Sequence, residues 1–391
     1  MAKLKDNLLF KLVTAIILGI LLGLVANETI IGILMTVKEI LGQIIFYCVP
    51  LIIIGFITPS IIDLRANATK MLGVTLLIAY LSSVGAGLFS ILSGYAIIPK
   101  LNIPTEVESL RQLPELILKL EIPPLLSVMT ALVTAIIMGL AINWTKSENL
   151  EKLFQEFHRV ILAIVNRIVI PILPFFIATT FAGLAYEGRI TRQLPVFLSV
   201  IVIVIIGHWI WLAILYALGG VISKENPMEV IKHYGPAYVT ALGTMSSAAT
   251  MSVALECARK SKVLDKEVID FVIPFGSTAH LCGSVLTEVF FVMTISKILY
   301  GELPPFGNIM LFVILLGLFA VAAPGVPGGT VMASLGIVTG VLGFDTNGVA
   351  LLMSIFALQD SFGTACNMTG DGAIALMVTG LFKKDKGRAK A

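Results

Sequence analysis

Residues 351–381, LLMSIFALQDSFGTACNMTGDGAIALMVTGL, decide how the rest of the chain is read. The stretch is apolar and, at about 1.5 Å per helical residue, long enough to cross about 30 Å of hydrocarbon, yet it carries two carboxylates. Asp360, Thr364, Asn367 and Asp371 stand at offsets of 0, 4, 7 and 11. At about 3.6 residues per turn these four share one helix face. Met353, Ile355, Ala373 and Leu376 prolong the segment on either side. An isolated Asp at the bilayer centre costs roughly 2.5–3.5 kcal/mol, so a helix holding two needs a cation, an ammonium group or water opposite them. This face therefore reads as a binding surface for something positively charged. Hard cations such as Na+ take carboxylate, amide and backbone oxygens in preference to sulfur, and Asp371 and Asn367 supply such oxygens.

The surrounding chain places this helix in a membrane. Of 391 residues, 57% are hydrophobic and 13% charged, where a soluble domain has about a quarter of its residues charged. The mean hydropathy is +0.98. The expectation is an all-α polytopic membrane protein. A net charge of +3, from 27 basic and 24 acidic residues, with the Lys and Arg bunched in loops rather than forming one basic face, argues against a nucleic-acid partner. Cys48, Cys257, Cys282 and Cys366 form no CxxC pair and have no adjoining His at metal spacing, so packing is the reading for Cys48 and Cys257. The N-terminal MAKLKDN leads into LLFKLVTAIILGILLGLVA, an apolar run too long for a signal-peptide core, which is read as a first retained span.

Further spans are expected at about 39–63, interrupted by Pro50 and Pro59, then at 72–98, 123–144, from 148 through the following RIVIPILPFFIATTFAGLA, and at 195–220. Residues 101–122 are Pro-broken and mixed in charge, which suits a loop or interfacial piece. After the sixth span the pattern changes. Residues 236–256 (PAYVTALGTMSSAATMSVALE) and 311–343 are apolar at the edges with small or polar residues in the middle, as expected of re-entrant hairpins. A membrane tolerates such tips only where they are buried in protein or line a wet cavity. Each hairpin precedes a long helix interrupted by polar residues, first 271–293 and then the final stretch. A repeated pair of interrupted segments points to a transporter site near the bilayer midplane. The basic residues Lys3, Lys5, Arg65, Lys70, Arg259, Lys260, Lys262, Lys266, Lys383, Lys384, Lys386, Arg388 and Lys390 fall on one side if there are eight spans and two hairpins, which puts both termini in the cytoplasm. Arg189 and Arg192 are the exception.

At these motifs the sequence resembles the dicarboxylate/amino acid:cation symporter family, which has the glutamate-transporter fold. The motifs are NMTGD (Asn367–Asp371) with Asp360 and Thr364 before it, TMSSAAT at 244–250 and PGVPGG at 324–329. Within the family it is most similar to the bacterial sodium-dependent serine/threonine branch. The resemblance covers nearly the whole chain. It implies eight transmembrane helices plus two re-entrant helical hairpins, in scaffold and transport domains with inverted repeats. The implied boundaries are scaffold spans 1–2 in residues 1–70, transport-domain span 3 in 71–100, scaffold spans 4–5 in 101–193, and the transport-domain core in 194–391. It also implies a homotrimer in the bacterial inner membrane.

Carried over by position, the resemblance implies that Asp360 binds a substrate α-ammonium and Asn367 an α-carboxylate, aided by Ser246, Ser247 and Val326 at the tips, with Thr364 facing the substrate side chain. Asp371, with backbone oxygens of Gly276, His280 and Asn367, would hold one sodium ion. Thr278 and the backbone of Ala320, Val321 and Ala323 would form a second sodium site. Acidic-substrate members carry an arginine one residue before the threonine, where this chain has Gly363. Without a guanidinium a second substrate carboxylate lacks its bidentate partner, so small neutral amino acids such as serine and threonine are expected. The seventh-span motif, usually Asn-Met-Asp-Gly-Thr, reads His280-Leu281-Cys282-Gly283-Ser284. With sulfur at Cys282 the third sodium site of the family is expected to be missing. Glu288 falls where some animal members carry a proton-binding glutamate. His280 is read as a hydrogen-bonded structural residue, with a proton role as the alternative.

The expected function is sodium-coupled symport by alternating access rather than enzymatic chemistry. Alternatives are sodium- or proton-coupled symport of another amino acid or a dicarboxylate, a channel, and an intramembrane aspartyl protease. Against the last, the sequence has no YD pair, and Met368 stands at the first glycine of a GxGD motif.

Overall fold

The computed structural model describes residues 8–66, 70–101, 111–188, 190–323 and 328–388. Among these the regular structure is helical: α1 (Leu8–Val25), α2 (Glu28–Ala66), α3 (Lys70–Ile97), α4 (Val128–Thr145), α5 (Glu148–Ile164), α6 (Ile170–Tyr186), α7 (Ile190–Ser223), α8 (Met228–Ile231), α9 (Gly235–Thr244), α10 (Ser247–Arg259), α11 (Lys266–Ala279), α12 (Cys282–Tyr300), α13 (Phe306–Ala322), α14 (Gly329–Leu342) and α15 (Thr346–Arg388). Among the described residues, six stretches are long and apolar enough to cross a membrane: Glu28–Pro59, Lys70–Lys100, Glu148–Tyr186, Pro195–Ser223, Lys266–Tyr300 and Thr346–Lys383. The expected first and fourth spans are α1 and α4, each 18 residues, or about 27 Å of helix.

Two expectations about interruptions fail. α2 starts at Glu28 and runs without a break through Pro50 and Pro59. Its start is set by Asn27, whose Oδ1 accepts the Ile30 N–H at 2.9 Å, with Glu28 in the positive first turn. A proline frees the carbonyl four residues earlier. For Pro59 that is Gly55, whose oxygen lies 3.0 Å from His158 Nδ1 on α5. A neighbouring helix thus satisfies the freed group, as membrane helices allow. The final helix, α15, is likewise continuous over 43 residues. Polar side chains alone leave its backbone ladder intact.

The expected break in the seventh span is present. α11 ends at Ala279, His280 is extended (φ −120°, ψ 98°) and α12 begins at Cys282. Between α5 and α6 a single π turn, Val165–Val169, absorbs the local disturbance at Pro171 and Pro174, with Ile170 N–H reaching back to the Val165 carbonyl.

Burial sorts the helices. The windows in Lys266–Tyr300 and Thr346–Lys383 are each 89% buried, against 33% for Glu148–Tyr186 and Pro195–Ser223. A helix buried all round belongs at the centre of a bundle, so α12 and α15 form the axis on which α3, α7, α9 and α11 pack. A second group is built from α1 on α6 and α2 on α4, α5 and α6; α14 packs against α2 and α4. The two short helix pairs, α9–α10 and α13–α14, each fold back on themselves. The first expected hairpin segment is therefore a helix–turn–helix unit around Met245–Ser246, and in the second α13 and α14 pack on each other, with 324–327 outside the described residues.

The α1–α6 contact depends on missing side chains. Gly19 and Gly23 lie one turn apart, and a Cβ on them would run into the Ala178 and Ala182 carbonyls respectively. Close backbone approach through such small-residue pairs is a main source of cohesion between helices in lipid. Gly19→Val is expected to destabilise the protein by at least about 1–3 kcal/mol. The check is a lower unfolding temperature in detergent, with Gly73→Ala, where added atoms meet nothing within 4 Å, as the neutral control.

Candidate functional site

The polar face of α15 points into the molecule. Asp360, Thr364, Asn367 and Asp371 are each at most 5% exposed. Because α15 is continuous, Asp360 and Asp371 are separated by eleven residues, about 16 Å along the axis. Two carboxylates that far apart cannot share one water, which removes the geometry of an aspartyl protease.

Asp360 Oδ2 accepts the backbone N–H of Gly328 at 2.7 Å, so the second turn, just before α14, reaches the upper carboxylate. Gly328 has φ +72°, a left-handed conformation that glycine adopts without strain. Among the described residues no Lys, Arg or His forms an ion pair with Asp360. A buried carboxylate with one amide donor and no cation lacks a partner of opposite charge. Val326, expected at this tip, lies outside the described residues. Ser247 is buried, and Ser246 caps α10, its hydroxyl accepting the Ala249 N–H at 3.3 Å. Both α9 and α10 pack on α15, which carries the first turn to the same helix.

Asn367 is bonded across the α11–α12 break. Its Oδ1 accepts the N–H groups of Gly283 at 2.7 Å and Ser284 at 3.2 Å, and its Nδ2 donates to Ser284 Oγ at 2.9 Å. The amide thus caps the N-terminus of α12 from another helix and fixes its own orientation. Among the described residues the second Nδ2 hydrogen has no acceptor, which leaves it for an anionic group. Gly363, on the same stretch of α15, faces Ser284, and an added Cβ would sit at an ordinary 3.4 Å from its backbone.

Asp371 lies against the C-terminal end of α11. A Cβ on Gly276 would come within 2.5 Å of Asp371 Oδ1, so glycine there admits the carboxylate to the helix end. Asp371 Oδ1 accepts a hydrogen bond from His280 Nδ1 at 2.9 Å, and Oδ2 is buried without a partner among the described residues. Helix C-termini present partly negative carbonyls. A carboxylate beside one, with an orphaned oxygen, suits a hard cation. Among the described residues no three His, Cys, Asp or Glu side chains converge as a transition metal would require.

The other expected cation residues lie on α11 and α13, which pack on each other. Thr278 is exposed, its hydroxyl turned to the Phe275 carbonyl at 2.9 Å. Ala320 and Val321 occupy the last turn of α13, and Ala323 is its extended C-cap. Carbonyls in a final helical turn lack intrahelical partners.

Three further residues take part in the site's hydrogen bonds. Ser82 on α3 lies 2.9 Å from His280 Nε2, and Gly328 and Ser334 reach Asp360 and Glu288. Glu288 is fully buried in α12; Ser334 Oγ on α14 donates to its Oε1, while Oε2 has no partner among the described residues. Gly328 belonged to a motif already noted, but Ser82 gave no signal, because its partner is 198 residues away.

The model of the sodium:dicarboxylate symporter family matches residues 8–381. Excitatory amino acid transporter 2 of Mus musculus is 30% identical over 242 residues, covering 60% of this chain and 41% of the relative. Excitatory amino acid transporter 1 of Homo sapiens is 30% identical over 212 residues (54% of this chain, 38% of the relative). The protein of that name from Ambystoma tigrinum is 28% identical over 211 residues, again 54% and 38%. The chain thus matches less than half the length of these curated relatives.

Proposed function

Since the chain belongs to the sodium:dicarboxylate symporter family, we propose that it is a sodium-coupled symporter that imports small neutral amino acids, serine and threonine foremost. The observation that carries this reading is Asp360, buried, bonded to Gly328 N–H and without an ion-pair partner among the described residues. An amino acid's ammonium would supply the missing charge. The Nδ2 of Asn367 would take its carboxylate, with Thr364 and the absence of a side chain at Gly363 selecting a small neutral side chain. Ser246, Ser247 and Val326 would close over the substrate from the two turns.

Sodium would bind at Asp371 with the backbone oxygens of Gly276, His280 and Asn367, and at Thr278 with those of Ala320, Val321 and Ala323. Each inward-moving charge is worth about 2.3 kcal/mol per 100 mV of membrane potential. In this reading the protein has eight spans and two re-entrant hairpins, α9–α10 and α13–α14, which gate the site. The body of α3, α7 and α9–α15 moves against α1, α2 and α4–α6. The packing of each group on itself supports that division. A homotrimer in a bacterial inner membrane, with cytoplasmic termini, completes the proposal.

The test is uptake of labelled serine into proteoliposomes. Accumulation above the external concentration, dependent on inward sodium and saturable, is the expected result. Flux that only runs downhill would replace the symporter by a channel, and competition by aspartate but not threonine would overturn the substrate assignment.

A further inference from the structure

The side chain of His280 has no part in the reading above, which uses only its carbonyl, yet it is held at both ring nitrogens. The ring is 0% exposed. It is held at both nitrogens, with Nδ1 2.9 Å from Asp371 Oδ1 on α15 and Nε2 2.9 Å from Ser82 Oγ on α3. An ionised carboxylate only accepts, so Nδ1 carries the hydrogen of the first bond. Space is kept open around the chain of contacts. A Cβ on Gly370 would lie 2.9 Å from His280 Cε1, and one on Gly276 would lie 2.5 Å from Asp371 Oδ1. Three elements, α3, the α11–α12 break and α15, thus meet through Ser82, His280 and Asp371.

We propose that His280 is a positioning residue for the cation-binding carboxylate, and that Ser82 anchors it, so that α3 controls sodium affinity without touching the ion. This rests on the assignment of Asp371 to a sodium site. A carboxylate rotating about its last torsion offers either oxygen. One tied through Oδ1 presents Oδ2, the oxygen that is buried without a partner among the described residues. Ligating carboxylates are commonly held in this way by outer hydrogen bonds, whose loss weakens metal binding by roughly 10- to 100-fold. The ordering is completed before the ion arrives, which is the general route by which preorganisation raises affinity.

The test uses the full-length protein purified in detergent and titrated with sodium chloride against choline chloride at constant ionic strength. The readout is the sodium concentration that gives half of the sodium-induced rise in unfolding temperature. Asp371→Asn is the reference and should lose the response. His280→Gln should raise the half-saturating concentration by about 10- to 100-fold. Ser82→Ala should raise it by about 3- to 10-fold, the worth of one hydrogen bond, and Ser82→Thr, which keeps the hydroxyl, should restore it. A purely space-filling role would lower the unfolding temperature in choline while leaving the half-saturating sodium unchanged, and that result overturns the proposal. Should His280→Gln fail to fold, the Ser82→Ala and Ser82→Thr pair decides alone. If Asp371→Asn keeps a wild-type response, the ion-site assignment itself falls and this role falls with it.

Discussion

Asp371→Asn is expected to abolish sodium-dependent substrate binding while leaving a folded protein. The carboxamide is nearly isosteric and its oxygen can still accept the 2.9 Å bond from His280 Nδ1, so the packing against Gly276 is preserved. What disappears is one negative charge at a fully buried position. At an effective dielectric constant of about 20, a unit charge about 4 Å from a cation is worth roughly 4 kcal/mol. That corresponds to a loss on the order of 10³-fold in sodium affinity. The substituted NH2 also places donors where Oδ2 had an open lone pair, which opposes a cation further. Sodium titration by calorimetry, with and without serine, is the direct measurement. A half-saturating concentration equal to that of the wild type would remove Asp371 from the ion site. Parallel loss of serine binding in sodium-free buffer would point instead to collapse of the site around Asn367.

The parts of this arrangement that the sequence makes legible are those written in local periodicity. The common face of Asp360, Thr364, Asn367 and Asp371 follows from spacing on one helix, and α15 carries all four buried. The break at His280–Leu281, the turn within 236–256 and the division of 311–343 into α13 and α14 coincide with small and polar residues inside apolar runs. Illegible were the consequences of neighbours. Pro59 looks like an interruption until His158, 103 residues away, takes the Gly55 carbonyl. The polar residues of α15 look like a break, but they bond outward to Gly283, Ser284, Gly328 and His280 and leave the backbone regular. The start of α2 is legible in the sequence: Asn27 followed by Glu28 is an N-cap signal, which hydropathy by itself does not register. Spacing does not reveal Ser82, since the packing of α3 on α11, α12 and α15 brings it near the site.

Gly363→Arg is expected to move preference from serine toward aspartate. The first carbon of the new side chain fits: an added Cβ would meet Ser284 at 3.4 Å, an ordinary contact distance. The introduced guanidinium would lie three residues from Asp360 on the same helix, within reach of its carboxylate. In the absence of an acidic substrate it would pair with Asp360 and compete with the ammonium of serine. An acidic substrate reverses this, because its second carboxylate takes the guanidinium in a bidentate pair and frees Asp360 for the ammonium. Leaving one member of a buried, hydrogen-bonded charge pair without its partner costs about 2–5 kcal/mol. The ratio of aspartate to serine affinity should therefore rise on the order of 10²–10³-fold, with serine affinity falling in absolute terms. Gly363→Ala, which adds the Cβ without the charge, should keep the serine preference and separates bulk from electrostatics. Competition of both amino acids against labelled serine and labelled aspartate in proteoliposomes measures the ratio. If the arginine variant transports serine undisturbed and gains no aspartate binding, the face of α15 around Gly363 does not line the substrate side-chain pocket. The selectivity would then have to come from the residues of the two turns.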